Sequence, residues 1–330
     1  MSDRKRIGVV GASGFTGALA AQLVDRHPRL ELVAVTSRTE AGTPLGDLYP
    51  RYRVRLVLAE LDLDRAAEWD AAIVALPHGA AAQTVAELRR REVPVVDLSA
   101  DFRLRDREVY DRWYGEHPAF ELTEEAAYGL TELNRDEVAG AKLVANPGCY
   151  PTATLLALAP LAAEGLLEDV VVDAKSGVSG AGRGGGEFVD VTENLTPYGT
   201  AGHRHEPEIA QELAVLGAET PLTFVPHLMP LDQGELVSCY VRPSREVVAS
   251  EMRDLFAERY DREAFVELVE RPPGVREVRD TNLCRIHATV DRAGRPMVFA
   301  AIDNLWKGAS GQAVQNLNLM LGLDEEAGLA

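Results

Sequence analysis

The chain opens with a strand, a glycine-rich turn and a helix, a combination that restricts its N-terminal half to one class of fold. Residues 7–10 form a short apolar run, Gly11-Ala12-Ser13-Gly14-Phe15-Thr16-Gly17 follows, and a helical pattern covers 18–26. Residues 30–35 have the composition of a second buried strand. Glycines at such a turn let the backbone approach a pyrophosphate, which the helix N-terminus stabilises. The sequence therefore predicts a dinucleotide site at Gly11, Ser13, Gly14, Phe15, Thr16 and Gly17.

Strand and helix patterns continue to alternate up to about residue 145. An apolar run at 71–76, a helical run at 80–91 and a further apolar run at 93–98 follow the glycine turn. This alternation is typical of a doubly wound parallel sheet. Ligands of such sheets bind beyond the carboxyl ends of the strands, so we expect Pro77-His78-Gly79 and Ser99-Ala100-Asp101-Phe102-Arg103 to line the nucleotide cleft.

The pattern changes in the second half of the chain. Strand-like runs follow one another with few helices between them, at 170–174, 222–225, 235–241, 265–269, 284–290 and 297–302. The predicted fold is α/β, with a doubly wound parallel Rossmann-type sheet in residues 1–148 and a second α+β domain of mostly antiparallel or mixed sheet in 149–308. The last helical run, 312–321, is predicted to be amphipathic and to pack back on the first domain within residues 309–330.

The residues after the second strand indicate which nucleotide is preferred. An NAD enzyme usually places Asp or Glu there to bind the ribose 2′-hydroxyl, but this chain reads Val35-Thr36-Ser37-Arg38-Thr39. A hydroxyl and a guanidinium suit a 2′-phosphate instead. We therefore predict NADP as the cofactor, with Ser37 and Arg38 at its 2′-phosphate.

One of the three cysteines has the surroundings of a nucleophile. Cys149 lies in Asn146-Pro147-Gly148-Cys149-Tyr150-Pro151-Thr152, in front of a helix predicted at 153–167. The first turn of a helix favours the thiolate, because its unpaired N–H groups carry a partial positive charge. Cys239 and Cys284 lie in strand-like runs and are predicted to pack in the core. Cys149 is therefore the predicted nucleophile.

Two further segments carry groups suited to catalysis or anion binding. Gly202-His203-Arg204-His205-Glu206-Pro207-Glu208-Ile209 offers two histidines, and an extended backbone would point both to one side and Arg204 to the other. A surface loop is the alternative for this pair. No metal site is predicted, because the neighbourhood lacks a partner set of ligands. The glycines of 175–186 suit either an anion-binding nest beside Arg183 or a flexible hairpin loop.

Composition restricts the partners and the compartment. A net charge of -18 over 330 residues disfavours nucleic acid and anionic membranes, which both require a basic face. No membrane segment or signal peptide is expected, since the N-terminus leads directly into the first strand. Three irregularly spaced cysteines argue against a disulfide framework and for the cytoplasm.

Seven segments taken together resemble the N-acetyl-gamma-glutamyl-phosphate reductases. In chain order they are Gly11-Ala12-Ser13-Gly14-Phe15-Thr16-Gly17, Ala75-Leu76-Pro77-His78-Gly79, Ser99-Ala100-Asp101-Phe102-Arg103, Pro147-Gly148-Cys149-Tyr150-Pro151-Thr152, Ser176-Gly177-Val178-Ser179-Gly180-Ala181-Gly182-Arg183, His203-Arg204-His205-Glu206-Pro207-Glu208-Ile209 and Ile302-Asp303-Asn304-Leu305-Trp306-Lys307-Gly308. The resemblance runs from residue 7 to about 322. Its most diagnostic element surrounds Cys149, because aspartate-semialdehyde and glyceraldehyde-3-phosphate dehydrogenases share the two-domain plan but surround their cysteine differently.

The resemblance implies a reaction and the groups that perform it. The family reduces N-acetyl-L-glutamyl 5-phosphate, a small-molecule acyl phosphate, with NADPH to N-acetyl-L-glutamate 5-semialdehyde and phosphate in arginine biosynthesis. It implies that Cys149 forms a thioester, which accepts hydride far more readily than a carboxylate does. His205 is the first choice as acid/base, with His203 as the alternative or a substrate ligand.

The same resemblance assigns residues to the ligands. A guanidinium is well suited to carboxylate and phosphate groups, so three arginines are expected at the substrate: Arg103, Arg183 and Arg204. Three residues are expected at the cofactor beside the N-terminal glycines and Pro77: Ser176, Gly177 and Asn304. Family members assemble as homodimers or homotetramers, and the same is expected here.

Two alternatives stay open. Similar reductases of lysine biosynthesis act on an aminoadipyl phosphate attached to a small acidic carrier protein, for which a net charge of -18 offers no support. A non-catalytic NADP-binding sensor would share the glycine turn but would have no reason to combine Cys149 with His203 and His205.

Overall fold

The computed structural model describes residues 4–183 and 191–329. The chain divides into two compact units. Met1–Pro147 and Ala309–Ala330 form the first unit, and Gly148–Gly308 forms the second. No helix in the described part of the chain is long and apolar enough to cross a membrane.

A parallel sheet forms the centre of the first unit. Its strands are β1 (Lys5–Val10), β2 (Leu30–Thr36), β3 (Ala71–Val74), β4 (Val95–Asp97), β5 (Ala126–Tyr128) and β6 (Leu143–Ala145). Their order across the sheet is β2-β1-β3-β4-β6-β5. The predicted doubly wound parallel sheet is confirmed. Because β1 pairs with β2 on one side and β3 on the other, the strand order reverses at β1, and ligands bind at such a reversal.

Helices and short helical turns complete the first unit. They are α1 (Phe15–Arg26), α2 (Leu45–Leu48), α3 (Leu63–Ala66), α4 (Ala80–Arg90), α5 (Arg107–Tyr114), α6 (Thr131–Val138) and α10 (Gly311–Met320), with a 3₁₀ turn at Phe120–Glu124. A π-helical turn, Trp306–Ser310, begins in the last residues of the second unit and leads into α10.

Helix α10 differs from its prediction, because its polar face is buried instead of solvated. Gln312, Gln315 and Asn316 are fully buried. Their amide nitrogens donate to Gly129 O at 2.9 Å, Glu132 Oε1 at 3.1 Å and Asn146 Oδ1 at 3.0 Å. The predicted amphipathic helix is therefore wrong in its exposure: tertiary hydrogen bonds satisfy the polar stripe that periodicity assigned to water.

A mixed sheet forms the second unit, as predicted. Its strands are β7 (Leu167–Ser176), β8 (Thr196–Pro197), β9 (Leu222–Leu228), β10 (Glu235–Pro243), β11 (Val266–Leu268), β12 (Cys284–Val290) and β13 (Pro296–Ile302). They are ordered β11-β12-β13-β10-β7-β9-β8. Antiparallel pairs join β13, β10 and β7, whereas β7 with β9 and β11 with β12 are parallel.

Three helices described in the second unit accompany this sheet: α7 (Cys149–Ala163), α8 (Glu206–Val215) and α9 (Ala249–Tyr260), with 3₁₀ turns at Val178–Ala181 and Val275–Glu277. The helix predicted at 153–167 starts earlier and ends sooner, as α7. Gly165, at φ +63°, ends the helical course, and Leu167 already begins β7. Helix α7 packs against β10 and β13, so side chains on that face of the sheet lie beneath it. Cys239 and Cys284 are fully buried in the strands, as predicted.

Candidate active site

Two of the N-terminal glycines are needed for packing, and a third faces open space. A Cβ on Gly11, whose φ is +85°, would lie 2.4 Å from Ala75 O, and one on Gly17 would lie 2.3 Å from Gly11 O. A Cβ on Gly14 would meet only Gly11 O, at 3.7 Å. Gly14 is the N-cap of α1, and no side chain caps that helix. The backbone is therefore shaped for a close anionic group at the N-terminus of α1, as a pyrophosphate requires.

The residues predicted at the 2′-phosphate lie beside this turn. Ser37 Oγ is 2.9 Å from Ser13 Oγ, and Ser37 is buried whereas Arg38 is exposed. Both line a cavity of about 140 Å³ together with Gly11, Leu76 and Ala80. The cavity offers a hydroxyl and a guanidinium next to the glycine turn, which fits the phosphorylated ribose of NADP.

Phe15 and Thr16 form the first turn of α1. The Phe15 ring packs edge-on against Tyr49 with centroids 6.2 Å apart, and Tyr49 Oη donates to Ser13 O at 2.8 Å. Thr16 O accepts a hydrogen bond from Ser310 Oγ at 2.8 Å. These contacts hold the turn in place from outside.

The loops after β3 and β4 are tied to each other. Pro77 is exposed, and the Asp101 carboxylate accepts from the backbone amides of Gly79 and Ala82, each at 2.8 Å. Asp101 therefore occupies the N-terminus of α4. Arg103 is buried and donates to Asn146 O at 2.7 Å and to Leu98 O at 2.8 Å. At least part of its guanidinium thus supports the backbone that leads to the nucleophile segment.

Cys149 is the first residue of α7 and is half-buried. Gly148 is the N-cap, and its amide donates to Glu208 Oε1 at 2.9 Å. A Cβ on Gly308 would lie 2.8 Å from Cys149 Cβ, so only glycine allows that approach. This is the position at a helix N-terminus that stabilises a thiolate.

His203 and His205 lie side by side, although their backbone is not extended. The extended backbone that would point both side chains to one side is not present: His205 is the N-cap of α8, and its amide donates to His203 Nδ1 at 3.1 Å. The two ring centroids are 4.9 Å apart, and each lies 5.8 Å from the Tyr150 centroid. Both rings reach Tyr150, the residue next to Cys149, because of the turn that begins α8 and not because side chains alternate along a strand.

The environments of the two histidines differ. Burial, with a further contribution from the Arg204 charge, lowers the pKa of His203 to about 4. His203 also packs against Tyr198 and Phe224. His203 is therefore neutral at physiological pH and is poorly suited to donate a proton. His205 is the N-cap of α8 and is buried, with 9% of its surface exposed.

Several polar side chains near Cys149 carry no role in the sequence prediction. Tyr150 Oη lies 3.1 Å from Tyr198 Oη, and burial raises the pKa of Tyr198 to about 12. Glu208, which accepts from the Gly148 amide, lies in the histidine segment 202–209, but nothing in the sequence alone indicates a function for it. Glu235 is fully buried at the first position of β10. The available sequence signal for Glu235 is a carboxyl group on the strand face that otherwise carries Val237, Cys239 and Val241.

The other residues predicted to bind the cofactor or the substrate differ in their exposure to solvent. Asn304 is buried, accepts from Gly234 N at 2.7 Å and donates to Ser179 Oγ at 3.0 Å. A Cβ on Gly177 would lie 2.8 Å from Leu231 O. Ser176 is buried, whereas Arg183 and Arg204 are exposed. The cofactor and substrate roles of these residues stay predictions. Of the predicted anion nest, Gly184, Gly185 and Gly186 lie outside the described residues.

Comparison with protein families accounts for both units. A family model described as semialdehyde dehydrogenase, NAD binding domain, matches residues 6–141. Another, described as semialdehyde dehydrogenase, dimerisation domain, matches residues 149–304. Two relatives named N-acetyl-gamma-glutamyl-phosphate reductase come from Desulforudis audaxviator and Halorhodospira halophila. They are 47% and 48% identical, and each alignment covers 98% of this chain and 97% of the relative.

Solved structures share the fold at low identity. Aspartate semialdehyde dehydrogenase II from Vibrio cholerae, complexed with ASA, has a TM-score of 0.75 at 18% identity and covers 97% of this chain and 99% of its own. Aspartate semialdehyde dehydrogenase with NADP from Candida albicans has a TM-score of 0.69 at 16% identity, covering 96% and 98%. At these identities the likeness concerns the fold alone.

Proposed function

Because the chain belongs to the N-acetyl-gamma-glutamyl-phosphate reductase family of semialdehyde dehydrogenases, we propose that it reduces N-acetyl-L-glutamyl 5-phosphate to the 5-semialdehyde in arginine biosynthesis. The observation that carries the proposal is the position of Cys149 at the N-terminus of α7, next to the pair His203 and His205. A nucleophile beside a proton carrier is what acyl transfer requires.

Cys149 begins the reaction by attacking the carbonyl carbon of the acyl phosphate. The carbon–oxygen bond to phosphate breaks, and a thioester to Cys149 remains. Partial positive charge at the start of α7 favours the thiolate, and the Glu208 contact keeps Gly148 in place beneath it. When bound, NADPH supplies the hydride that converts the acyl group to the aldehyde oxidation level.

His205 is the proposed acid/base for the protons of the thiol and the thiohemiacetal. It adjoins Tyr150, and its neighbour His203 is kept neutral by burial. His203 is then a substrate ligand or a packing partner of His205, consistent with the hydrogen bond between His203 Nδ1 and the His205 amide.

The substrate and NADP sites use residues from the sequence prediction. Gly11, Ser13, Gly14, Phe15, Thr16 and Gly17 would hold the pyrophosphate, and Ser37 and Arg38 the 2′-phosphate. The exposed guanidinium groups of Arg183 and Arg204 are proposed to bind the substrate carboxylate and phosphate. Arg103 is proposed to act on the substrate side as well, in addition to its backbone contacts.

Association into a homodimer or homotetramer is proposed through the outer face of the second sheet. Val171 and Tyr240 are 38% and 42% exposed and are direct cross-strand partners. Met297 and Thr223 extend the same row across the sheet. An exposed apolar row on a domain that matches a dimerisation family suits a second copy of the chain. None of the three cysteines, all of which the structure describes, forms a disulfide bond, which fits the proposed cytoplasmic location.

The reverse reaction tests this proposal. Purified protein is given N-acetylglutamate semialdehyde, phosphate and NADP, and the absorbance of reduced nicotinamide is followed. We expect phosphate-dependent reduction of NADP, faster than with NAD, and little with the aminoadipate homologue. Reduction of NADP with the homologue alone would reassign the substrate, and no reduction with either would remove the proposed activity.

A further inference from the structure

Glu235 is a buried carboxyl group to which no function has been given. It is the first residue of β10, and its side chain shares a face of the sheet with Val237, Cys239 and Val241. That face is covered by α7. Carboxyl groups are almost never fully buried unless they are paired, so a charged residue at this place is not explained by packing.

The neighbours of Glu235 belong to the active site. Ser176 lies directly opposite in β7, and Ile302 lies opposite in β13. The Ile302 Cδ1 atom and the Cys149 Cβ atom both lie within 3.2 Å of the Cβ position at Gly308, so Ile302 and Cys149 adjoin one glycine. The pairing of β10 with β13 therefore places Glu235 beside Ile302, which in turn adjoins the start of α7 at Cys149.

The side-chain oxygens of Glu235 can still accept a proton or a hydrogen bond. Among the described residues, no hydrogen bond of good geometry engages either Oε1 or Oε2. The Cys149 thiol and the Ser176 hydroxyl are the polar side chains that favour its ionised form. Tyr150 of α7 and Tyr198, which follows β8, are the other titratable groups that interact with it, and neither carries a positive charge.

Burial sets the protonation of this group. It raises the pKa of Glu235 to about 8, and the Cys149 and Ser176 side chains only partly offset the rise. Since the folded pKa exceeds the ordinary value of 4.5, the carboxyl group is mostly protonated at pH 7 and ionises as the pH passes 8. Proton exchange is most effective between groups of similar pKa, and burial moves the pKa of this carboxyl group toward the range of thiols.

We propose that Glu235 is the proton partner of Cys149, a further catalytic residue of this enzyme. The inference rests on the proposed function and revises one part of it: the thiol proton is assigned to Glu235, and His205 keeps the protons of the thiohemiacetal oxygen and the departing phosphate.

The proton transfers balance over the cycle. Ionised Glu235 takes the Sγ–H proton as sulfur bonds to the acyl carbon, and phosphate leaves with the electron pair of the broken carbon–oxygen bond. The departing phosphate is protonated by His205 or water. After hydride transfer the tetrahedral oxyanion re-forms its carbonyl, the carbon–sulfur bond breaks toward sulfur, and the thiolate recovers its proton from Glu235. The net reaction consumes one proton from solvent, which ends on phosphate.

Glu235→Gln is the decisive variant, because it keeps the shape of the side chain and removes its titration. Two readouts are used: alkylation of Cys149 by iodoacetamide against pH, located by peptide mass spectrometry, and single-turnover phosphate release from the acyl phosphate. Two coupled groups titrate in two steps. We expect wild-type alkylation to rise in two steps and that of the variant in one.

The rate of acyl-enzyme formation provides the second test of a proton-transfer role for Glu235. At pH 8 the variant should form the thioester roughly a hundredfold more slowly than wild type, and it should approach wild type near pH 10, where the thiol ionises unaided. A defect of equal size at every pH would assign Glu235 a structural role and overturn the proposal. So would a wild-type alkylation profile in the variant.

Two further variants serve as controls for Glu235→Gln. Glu212→Gln alters another buried carboxyl group of the same unit, one that accepts from Gln211 Nε2 at 2.7 Å, and should retain both wild-type profiles. If Glu235→Gln does not fold, Glu235→Asp should keep two alkylation steps, and a single step would overturn the proposal. The alkylation arm needs neither substrate nor NADP, so it remains informative if the enzyme proves to act on another acyl phosphate.

Discussion

The Glu208 carboxylate accepts a hydrogen bond from the Gly148 amide at 2.9 Å and so joins α8 to the residue that caps the nucleophile helix. Both residues are close in the structure but 60 positions apart in the chain. His205 caps the same helix that carries Glu208, so one element places both the proposed proton carrier and the support of Cys149.

The first prediction concerns this contact. Glu208→Ala leaves the buried Gly148 amide without its acceptor, which costs roughly 1–3 kcal/mol, whereas Glu208→Gln keeps an oxygen acceptor. We expect kcat to fall at least about tenfold in the alanine variant and clearly less in the glutamine variant. Steady-state kinetics with thermal unfolding checks this, and equal losses in the two variants would mean that the carboxylate charge, not the hydrogen bond, matters.

Cys149→Ser is predicted to abolish turnover and leave NADP binding close to that of wild type. A serine hydroxyl is too weakly ionised at neutral pH to replace a thiolate. The nucleophile and the glycine turn belong to different compact units, so the change should not reach the dinucleotide site. Nucleotide titration and single-turnover phosphate release provide the two measurements. Cys239→Ser is the matched control, and substantial activity in a folded Cys149→Ser protein would remove the nucleophile assignment.

Nucleotide preference should depend on Ser37 and Arg38. Arg38→Ala combined with Ser37→Asp is expected to weaken NADPH binding and to favour NADH relatively, because a carboxylate repels a 2′-phosphate but accepts a hydrogen bond from a free 2′-hydroxyl. The ratio of kcat/KM for the two cofactors measures this. Arg29→Ala, another change of an exposed arginine in the first unit, serves as the control. An unchanged ratio would place the discrimination elsewhere.

Substitutions of His203 and His205 should have different effects on the kinetics of the enzyme. His205→Asn is predicted to lower turnover by roughly a hundredfold or more, as expected for a lost general acid/base. His203→Asn should act mainly on substrate affinity, because burial already keeps His203 neutral. Pre-steady-state rates of thioester formation and hydride transfer distinguish the two. A larger loss of both rates in His203→Asn would reverse the assignment.

Oligomer formation should depend on the Val171–Tyr240 pair. Tyr240→Glu introduces a charge into the exposed apolar row, where a second copy would have to desolvate it. We predict a shift to a smaller species in sedimentation velocity, with the secondary structure retained. Arg242→Glu, which alters an exposed residue two positions further along β10, tests whether charge alone is responsible. An unchanged sedimentation coefficient for Tyr240→Glu would exclude this face.

The sequence predicts those features of the fold and the site that depend on residues close together in the chain. The glycine turn, the strand–helix alternation and the position of Cys149 before a helix all depend on residues within one or two turns of one another, and the family motifs add their order. The fold class, the reductase family and the NADP cofactor were predicted on that basis and are confirmed.

Tertiary structure decided what depends on distant residues. Helix α10 carries buried amides because Gly129, Glu132 and Asn146 offer partners, which periodicity cannot reveal. The sequence by itself determined which residues can react and on which kinds of element they lie. Only the fold brought Glu208 and Glu235 beneath the start of α7, because strand register and helix packing, not sequence spacing, set the contact of Glu208 with Gly148 and the burial that raises the pKa of Glu235.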